Sequence, residues 1–295
     1  MARGTVLRGG LIDLHSHTTA SDGTYTPQQL ISFAVEIGLE ALAITDHETF
    51  AGFDAAAPHA EDLAFDLLRG IELNTYVRVP GSTQKRNLHL LAYFPFAEPF
   101  QPFLTWLYQQ QSLRRDRNER LIGALQKSGV NITLAEVERI GRSVTGRPHF
   151  ARVLIEKGYA RNHEEAFRSF LSEDSPSFVE RISVNTEQAI EAVCMGGGVP
   201  VVAHPVRLSL VGRAEEEEML AHLKRSGLVG LEVIHSDQSP EVQDHYMELA
   251  RKFSLIPTGG SDFHGAVKPQ VQLGRGVAYN VQVPRAFLDH LRSLD

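Results

Sequence analysis

Imidazole and carboxylate side chains stand close together just after the first apolar run of the chain. The segment LIDLHSHTTASDG carries Asp13, His15 and His17 at alternate positions. Alternate residues of a strand point to the same side, so these three groups can converge on one point. Imidazole with carboxylate, and without thiolate, suits Zn²⁺, Mn²⁺ or Fe²⁺ rather than a structural zinc site.

The same residue types recur where later apolar runs end. They are Asp46, His47, Glu72, His89, His204, Asp262 and His264, and Asp22 follows the first run in a Ser-Asp-Gly turn. A single histidine at the end of a strand usually has only a structural role. Buried charge at so many strand ends would be very costly without a compensating cation. The sequence therefore predicts a metal cluster.

Alternating elements place these residues together. Eight short apolar runs are typical of buried strands, and amphipathic helical patterns, several closing in glycine, lie between most of them. The runs span 11–17, 39–47, 65–73, 88–94, 199–205, 230–236, 255–264 and 276–281. Such βα units favour a parallel sheet with outer helices, and their number favours a barrel, whose strands end at one mouth.

Residues 99–182 interrupt the alternation. They contain no convincing strand; the pattern predicts a long helix and shorter helical pieces at 134–140, 148–157 and 163–171. We interpret 1–98 and 183–295 as the barrel and 99–182 as a helical insertion. An insertion after the carboxyl end of a strand sits beside the active face, so this segment is expected to form a lid.

Composition excludes several classes of protein. The formal net charge of −7 over 295 residues does not draw nucleic acid to the whole surface. No apolar run approaches the roughly 20 residues of a membrane helix, and the first nine residues are too short and polar for a signal peptide. Cys194, the single cysteine, allows no internal disulfide and is expected to be buried and inert. These features favour the cytoplasm, with no obligate protein partner.

The ordered motifs DLHSHTTASDG, ALAITDHET, GIEL, VVAHP and GGSDFHG resemble those of the PHP (polymerase and histidinol phosphatase) family. The similarity covers residues 11–95 and 199–265. It implies a distorted seven-stranded (β/α) barrel that binds two to three divalent ions, Mn²⁺, Zn²⁺ or Fe²⁺.

The resemblance also implies roles for individual residues. The first metal would be held by His15, His17, Glu72 and Asp262. Glu72 would bridge to a second metal, held also by His89 and His204, and a third would be held by Asp22, His47 and His264. Asp13 and Asp46 would orient histidines, and Asp46 could serve in proton transfer; a purely structural role for either acid is equally open. His235, after a later strand, competes with His204 for the second metal; we favour His204.

A phosphate site is expected in the insertion. TGRPHFAR places Pro148 as the first residue of a helix, whose N-terminus with flanking Arg and His can bind an anion; the residues alone leave pairing of the arginines with acids equally open. RPHFAR followed by AHPVR resembles a PHP subgroup of nucleoside 3′,5′-bisphosphate phosphatases, some of which are 5′→3′ exoribonucleases. This implies that Arg147, His149 and Arg207 bind substrate phosphate, with His149 also a catalytic candidate.

The expected activity is hydrolysis of a phosphate monoester by a hydroxide formed at the metals. The resemblance implies removal of the 3′-phosphate of a nucleoside 3′,5′-bisphosphate, with exonuclease activity on short RNA or DNA. The substrate partner would thus be a small nucleotide or a short oligonucleotide. Alternatives are a histidinol-phosphate or other small-molecule phosphatase, an amidohydrolase, and a non-catalytic PHP module serving a polymerase or another partner.

Overall fold

The computed structural model describes residues 11–78, 84–141, 145–172, 174–180, 184–210 and 212–294. The first nine residues and the expected boundary at 182/183 lie outside these ranges. Contacts divide the described chain into two compact units. One comprises the residues up to Leu104 and from Val184 onward, and the other lies within 105–183.

The first unit is built on one sheet of nine strands, counted over the described residues. The strands are β1 (Leu11–Asp13), β2 (Ala41–Ile44), β3 (Asp66–Arg78), β4 (Lys85–Tyr93), β5 (Val184–Asn185), β6 (Val199–Val202), β7 (Gly230–His235), β8 (Ile256–Gly260) and β9 (Val283–Pro284). Its helices are α1 (Pro27–Glu36), α2 (Ala51–Asp62), α7 (Thr186–Met195), α8 (Arg213–Arg225), α9 (Pro240–Lys252) and α10 (Ala286–Leu291).

The sheet curls into a nearly closed barrel. Its strand order is β8-β7-β6-β4-β3-β2-β1-β9, and β5 pairs with β3 off this path. The backbone N–H of Leu14 donates to the carbonyl of Gly259 at 3.1 Å, and that of Asp262 donates to the carbonyl of His15 at 2.9 Å. These bonds bring the end of β8 to the end of β1. The predicted mixed α/β barrel is confirmed.

The barrel is distorted at β4. This strand follows β3 in a hairpin and runs antiparallel to both β3 and β6. Tyr93, its last residue, pairs with Gly70 and Val199, near the beginnings of the neighbouring strands. The chain therefore leaves β4 at the end of the barrel opposite the predicted metal residues. β4 thus ends away from the predicted metal residues, and the lid over 99–182 stays a prediction.

Two further expectations are wrong. Residues 276–281 form turns instead of a strand, and the last strand is β9, which pairs antiparallel with β1. The run GVAYNV contains Gly276 at φ 68°, Ala278 at 51° and Tyr279 at 63°, which extended pairing does not allow. Cys194 is exposed, because it lies on the solvent side of α7 near its C-terminus.

Side-chain caps begin several of the barrel helices. Thr26, Asn185 and Ser239 accept hydrogen bonds from backbone N–H groups in the first turns of α1, α7 and α9. The apolar faces of α1 and α2 then pack on the outside of the sheet, around Leu30, Ile44 and other buried residues. Inside the barrel, Tyr93 is fully buried and its hydroxyl donates to the carbonyl of Leu14 at 2.8 Å.

The regular structure in the described residues of the second unit is all helical. It contains most of α3 (Gln101–Lys127), followed by α4 (Leu134–Gly141), α5 (Arg147–Glu156), α6 (His163–Ala166) and one π-helical turn at Phe167–Leu171. It has a core of its own that includes Leu125, Phe150 and Leu154. Among the helices of the described residues, none is both long and apolar enough to cross a membrane.

An ion-pair cluster fastens α10 to the start of β3. Arg292 donates to both carboxylate oxygens of Asp66, at 2.8 and 2.7 Å, and Arg285 lies 2.6 Å from the same group. Burial alone would raise the pKa of Asp66, but Arg292 and Arg285 outweigh it and lower that pKa below its ordinary value of 3.8. This contribution to stability is complete above the ordinary pKa and is lost as pH falls through the lower, folded-state pKa.

We therefore expect Asp66→Asn to lower the free energy of unfolding by about 1 kcal/mol at pH 7. The deficit relative to wild type should shrink as pH falls below the ordinary aspartate pKa. Urea unfolding of the wild type and the variant measures this deficit, at pH 7 and at the lowest pH at which both proteins stay folded. Asp289→Asn is the matched control, since that exposed carboxylate contacts Arg285 within one helix at 3.1 Å; it should change stability by less than about 0.5 kcal/mol. An equal deficit at both pH values would contradict the assignment.

Candidate metal centre

The predicted ligands meet at one end of the barrel. Four groups of residues follow the carboxyl ends of parallel strands, and Glu72 and His89 come from within the β3–β4 hairpin. Glu72 does not end its strand as the sequence suggested, because β3 continues to Arg78 in its pairing with β4. Asn74 is paired with His89 in this register, so Glu72 and His89 are diagonal neighbours on one face of the hairpin.

Glu72 is the centre of the cluster, and five imidazoles face its carboxylate. Its Oε2 lies 3.2 Å from Nε2 of His17, 3.2 Å from Nδ1 of His47 and 3.5 Å from Nε2 of His15. Its Oε1 lies 2.7 Å from Nδ1 of His89 and 3.0 Å from Nε2 of His204. Oε2 thus faces His15 and His17, expected around one metal, together with His47, expected at a third, and Oε1 faces the pair expected around a second.

A second group of side chains lies beside Glu72 and is centred on Asp22, in the turn after β1, and His264, after the end of β8. Asp22 Oδ1 is 3.3 Å from Nε2 of His264 and 3.6 Å from Nδ1 of His17, and its Oδ2 is 3.7 Å from Nε2 of His47. One donor atom from each of these four residues lies within 4.8 Å of the others. The three residues expected at a third metal are therefore together, with His17 added.

His264 is oriented by the main chain. Its Nδ1 lies 2.8 Å from the carbonyl oxygen of Asp262, an acceptor, so Nδ1 carries the proton. Nε2 then presents its lone pair towards Asp22. A backbone carbonyl on the remote nitrogen is a usual support of a metal-bound histidine.

His235 lies against another part of the cluster. Its Nε2 is 3.4 Å from Oδ2 of Asp262, and one donor atom each from His15, His235 and Asp262 also lies within 4.8 Å of the others. Its Nδ1 accepts the backbone N–H of Asp237 at 3.0 Å. His204 faces Glu72 instead, so the two histidines expected to compete for one metal contact different carboxylates.

The chemistry of these donors fits divalent cations. Among the described residues, four buried imidazole nitrogens have no hydrogen-bond partner: Nε2 of His15, His17 and His235 and Nδ1 of His47. Buried polar atoms are rarely left unpaired without a role. Nitrogen and carboxylate oxygen without sulfur are the donors of a zinc, manganese or iron site.

The electrostatics of the cluster divides its histidines. Burial alone would lower the pKa of His15, but the charges of Glu232, Glu72 and Asp262 hold it well above its ordinary value. His17 likewise has a pKa raised to about 9, because Asp262 and Glu72 outweigh burial. The buried carboxylates therefore favour positive charge at this point, which a cation bound by the same nitrogens would also supply.

Three imidazoles of the cluster, those of His47, His204 and His264, are held neutral. Burial lowers the pKa of His47 to about 3 and that of His204 to about 4, and it also lowers the pKa of His264. Neutral imidazole is the form that binds metal. Burial alone would raise the pKa of Glu72, but the imidazoles that surround its carboxylate hold it well below its ordinary value, so this carboxylate stays ionised.

Asp13 supports the site through the main chain. Its Oδ1 accepts the backbone N–H groups of His15 at 3.1 Å and Ser261 at 2.9 Å, and its Oδ2 accepts the N–H of Gly274 at 2.7 Å. The Ser261 hydroxyl donates to the same carboxylate. Asp13 thus joins the ends of β1 and β8 and contacts His15 through the main chain, and its role in orienting that histidine stays a prediction.

Asp46 braces the turn that carries Asp22. Its Oδ1 accepts the N–H of Thr18 at 2.8 Å and the hydroxyl of Ser21 at 2.5 Å, and its Oδ2 accepts the Thr18 hydroxyl at 2.7 Å. Ser21 in turn lies 3.4 Å from Nδ1 of His17, so Asp46 reaches that ring through a hydroxyl. Its role in proton transfer stays a prediction.

Two residues of the cluster were missed from the sequence. Glu232, fully buried in β7, lies 2.9 Å from Nδ1 of His15, and Lys268 lies 2.7 Å from Oδ2 of Asp262. An acid within the apolar run GLEVIHS was the available signal for Glu232, because an unpaired charge does not occupy a buried strand. The sequence offered no such signal for Lys268, since lysines in loops are commonplace.

The phosphate-binding candidates lie in both units. Arg207 donates to Asp237 at 2.7 Å and to Asp262 at 2.9 Å, at the edge of the cluster. Arg147 and His149 belong to the helical unit. Arg147 donates to the carbonyl of Leu171 at 3.4 Å, and Nδ1 of His149 accepts the backbone N–H of Gly146 at 3.0 Å at the start of α5. The roles of all three in phosphate binding stay predictions.

The close fit of Asp46 against α2 can be tested at Gly52. A Cβ at this position would overlap Oδ2 of Asp46 and crowd the Thr18 hydroxyl. We expect Gly52→Ala to lower the free energy of unfolding by about 1–3 kcal/mol, as overpacking does, although alanine favours helix. Chemical denaturation measures the change.

Gly123→Ala is the matched control, since a Cβ at that position in α3 meets no atom within 4 Å. It should leave stability unchanged or raise it by up to about 1 kcal/mol. Equal effects of the two substitutions would show that Asp46 is not tightly held.

Comparison with known proteins agrees with this geometry. A family model described as PHP domain matches residues 13–166, more than half of the chain. The Escherichia coli K12 protein named 5′-3′ exoribonuclease Rnm is 34% identical over 273 residues, covering 90% of this chain and 88% of the relative. A Chromobacterium violaceum protein named 3′,5′-nucleoside bisphosphate phosphatase is 27% identical over 276 residues, covering 92% of each.

A solved structure extends the similarity to the fold. A Bifidobacterium adolescentis protein assigned as a metal-dependent phosphoesterase matches with a TM-score of 0.77 and 31% identity, covering 96% of each chain. The family model, the relatives and the fold agree with the buried cluster of imidazoles and carboxylates. The chain belongs to the PHP family of metal-dependent phosphoesterases.

Proposed function

We propose that this protein hydrolyses the 3′-phosphate of nucleoside 3′,5′-bisphosphates and also removes nucleotides from the 5′ end of short oligonucleotides. The observation that carries the proposal is the buried Glu72 carboxylate with five imidazoles around it and Asp22 and Asp262 beside it. The names of the Escherichia coli and Chromobacterium violaceum relatives support the substrate class.

Two cations at the edge of the cluster favour a phosphate ester. Arg207 and Lys268 both contact Oδ2 of Asp262, at 2.9 and 2.7 Å, while Oδ1 faces the histidines. Their side chains are 37% and 27% exposed, so an incoming anion can reach them. A guanidinium and an ammonium side by side supply donors for two phosphoryl oxygens. An amidohydrolase substrate needs no such pair.

The described residues of the cluster differ in their exposure. Asp22, His47 and His89 are partly exposed, whereas His15, His17 and Glu72 are almost fully buried. Substrate would therefore enter from the side of the first three residues. A small bisphosphate needs no broad basic surface, which suits a chain of net charge −7.

The residues that would hold divalent ions are those already expected, with His17 and Glu72 shared between neighbouring groups. Bound there, the ions would supply Lewis acidity and lower the pKa of water. Glu72 and Asp262 keep their negative charge. The imidazoles of His47, His204 and His264 stay neutral. Arg207 and Lys268 bind the phosphoryl group and fix its orientation for in-line attack. Hydrolysis adds water across the bond between phosphorus and O3′, giving inorganic phosphate and a nucleoside 5′-monophosphate.

We assign the second metal to His204 rather than His235. Nε2 of His204 faces Oε1 of Glu72, the oxygen that also contacts His89. Nε2 of His235 instead lies 3.4 Å from Oδ2 of Asp262, so this ring stands beside a different carboxylate from the one that His89 and His204 share.

The decisive assay uses the full chain loaded with Mn²⁺ and three substrates: adenosine 3′,5′-bisphosphate, histidinol phosphate and a short 5′-phosphorylated RNA. We expect phosphate from the first, mononucleotides from the RNA and much slower release from histidinol phosphate. Glu72→Gln, in which a neutral amide replaces the central carboxylate, controls for contaminating activity. Faster hydrolysis of histidinol phosphate than of the bisphosphate, or no turnover of the two nucleotide substrates, would refute the proposal.

Lys268 provides a test of phosphate binding. Removing its charge-assisted hydrogen bond should reduce kcat/KM for adenosine 3′,5′-bisphosphate by about ten- to a hundredfold in Lys268→Ala and weaken inhibition by inorganic phosphate. Lys252→Ala is the control, because that ammonium contacts Glu217 on the outer helices at 2.8 Å. Unchanged phosphate inhibition in Lys268→Ala would remove this residue from the substrate site.

A further inference from the structure

We propose that Glu232 is a positioning residue of the metal centre. It determines which ring nitrogen of His15 carries a proton, and it holds the main chain at His204. The inference rests on the proposed metal-dependent function, because it concerns how two candidate ligands are prepared for a cation. Neither the sequence motifs nor the resemblance assigns Glu232 a role.

Glu232 reaches two candidate ligands at once. The residue is fully buried in β7. Its Oε1 lies 2.9 Å from Nδ1 of His15, and its Oε2 accepts the backbone N–H of His204 at 2.6 Å. These ligands follow β1 and β6, so one carboxylate links two separate segments of the barrel mouth.

The first contact fixes which nitrogen of His15 is available. A carboxylate accepts only, so Nδ1 must carry a proton. Nε2 is therefore the nitrogen left to a cation, and it faces the cluster, 3.5 Å from Oε2 of Glu72 and 3.6 Å from Oδ1 of Asp262. A carboxylate on the remote nitrogen of a metal-bound histidine fixes the tautomer and makes the ring a better donor.

The second contact holds a strained backbone. His204 has φ 27° and ψ 62°, a conformation that residues with a Cβ rarely adopt. Such conformations cost about 1–3 kcal/mol and persist only when their surroundings enforce them. The bond from the His204 N–H to Glu232 is one such constraint, and it keeps Nε2 of His204 beside Glu72.

Glutamine cannot replace Glu232 in both contacts. Its amide has one accepting oxygen and one donating nitrogen, whereas His15 Nδ1–H and His204 N–H are both donors. Either the His204 contact is lost, or His15 must accept at Nδ1 and carry its proton on Nε2, where the metal would bind. The size of the side chain is unchanged, so packing is preserved.

We therefore expect Glu232→Gln to bind Mn²⁺ about 10- to 100-fold more weakly than wild type, measured by isothermal titration calorimetry of the full chain. The control is Glu216→Gln, because Glu216 contacts His245 at 2.6 Å and Tyr246 at 3.0 Å in a similar two-sided manner between α8 and α9. It should bind Mn²⁺ as wild type does. Wild-type affinity in Glu232→Gln would overturn the proposal.

A measurement on the wild-type chain keeps the proposal testable if the variant does not fold. In protein loaded with diamagnetic Zn²⁺, ¹⁵N-resolved NMR should show His15 with metal on Nε2 and an exchange-protected proton on Nδ1. Metal on Nδ1, or an Nδ1 proton in rapid exchange with water, would overturn the role of Glu232. Neither readout uses a substrate, so an inactive enzyme with these signatures would refute the proposed activity and leave this inference intact.

Discussion

The carboxylate of Glu72 is the group on which the rest of the site depends. It is 1% exposed, and its oxygens face imidazoles from four segments of the chain: the residues after β1, β2 and β6, and strand β4. A buried carboxylate is destabilised by several kcal/mol unless positive charge or strong donors surround it. Glu72 is therefore tolerable only when the mouth of the barrel is complete, so closure of the barrel and assembly of the cluster depend on each other.

This requirement gives a physical reason for the distortion of the barrel. In a regular (β/α) barrel each strand offers the cluster only the residues at its carboxyl end. The β3–β4 hairpin instead places two residues from the middle of adjacent antiparallel strands on one face, and Nδ1 of His89 lies 2.7 Å from Oε1 of Glu72. The antiparallel pairing of β4 with β6 then sets the N–H of Ala203 on the carbonyl of His89, next to His204.

The sequence was informative where side-chain type and spacing carry the chemistry. Three short motifs identified residues that the fold brings together: HSH after an apolar run, DH after the next and SDFH near the end. They did so because the strand ends of a barrel converge whatever the exact pairing. Strand direction was not predictable: LHLLAYF has the same apolar pattern in either orientation, and only its pairing with β3 and β6 decides. GVAYNV was misassigned because three residues with positive φ leave no trace in hydropathy. Glu232 was missed because one acid within an apolar run does not identify its partner.

The buried acids at the mouth show why residue type alone does not define a ligand. Asp13 accepts four hydrogen bonds and Asp46 accepts three, all from neutral N–H and O–H donors. Glu232 accepts from His15 on one side and from the main chain on the other. Glu72 and Asp262 instead face imidazoles on several sides. The main chain therefore decides which carboxylates can serve a cation, since it satisfies three of the acids wholly or in part and leaves two facing the cluster.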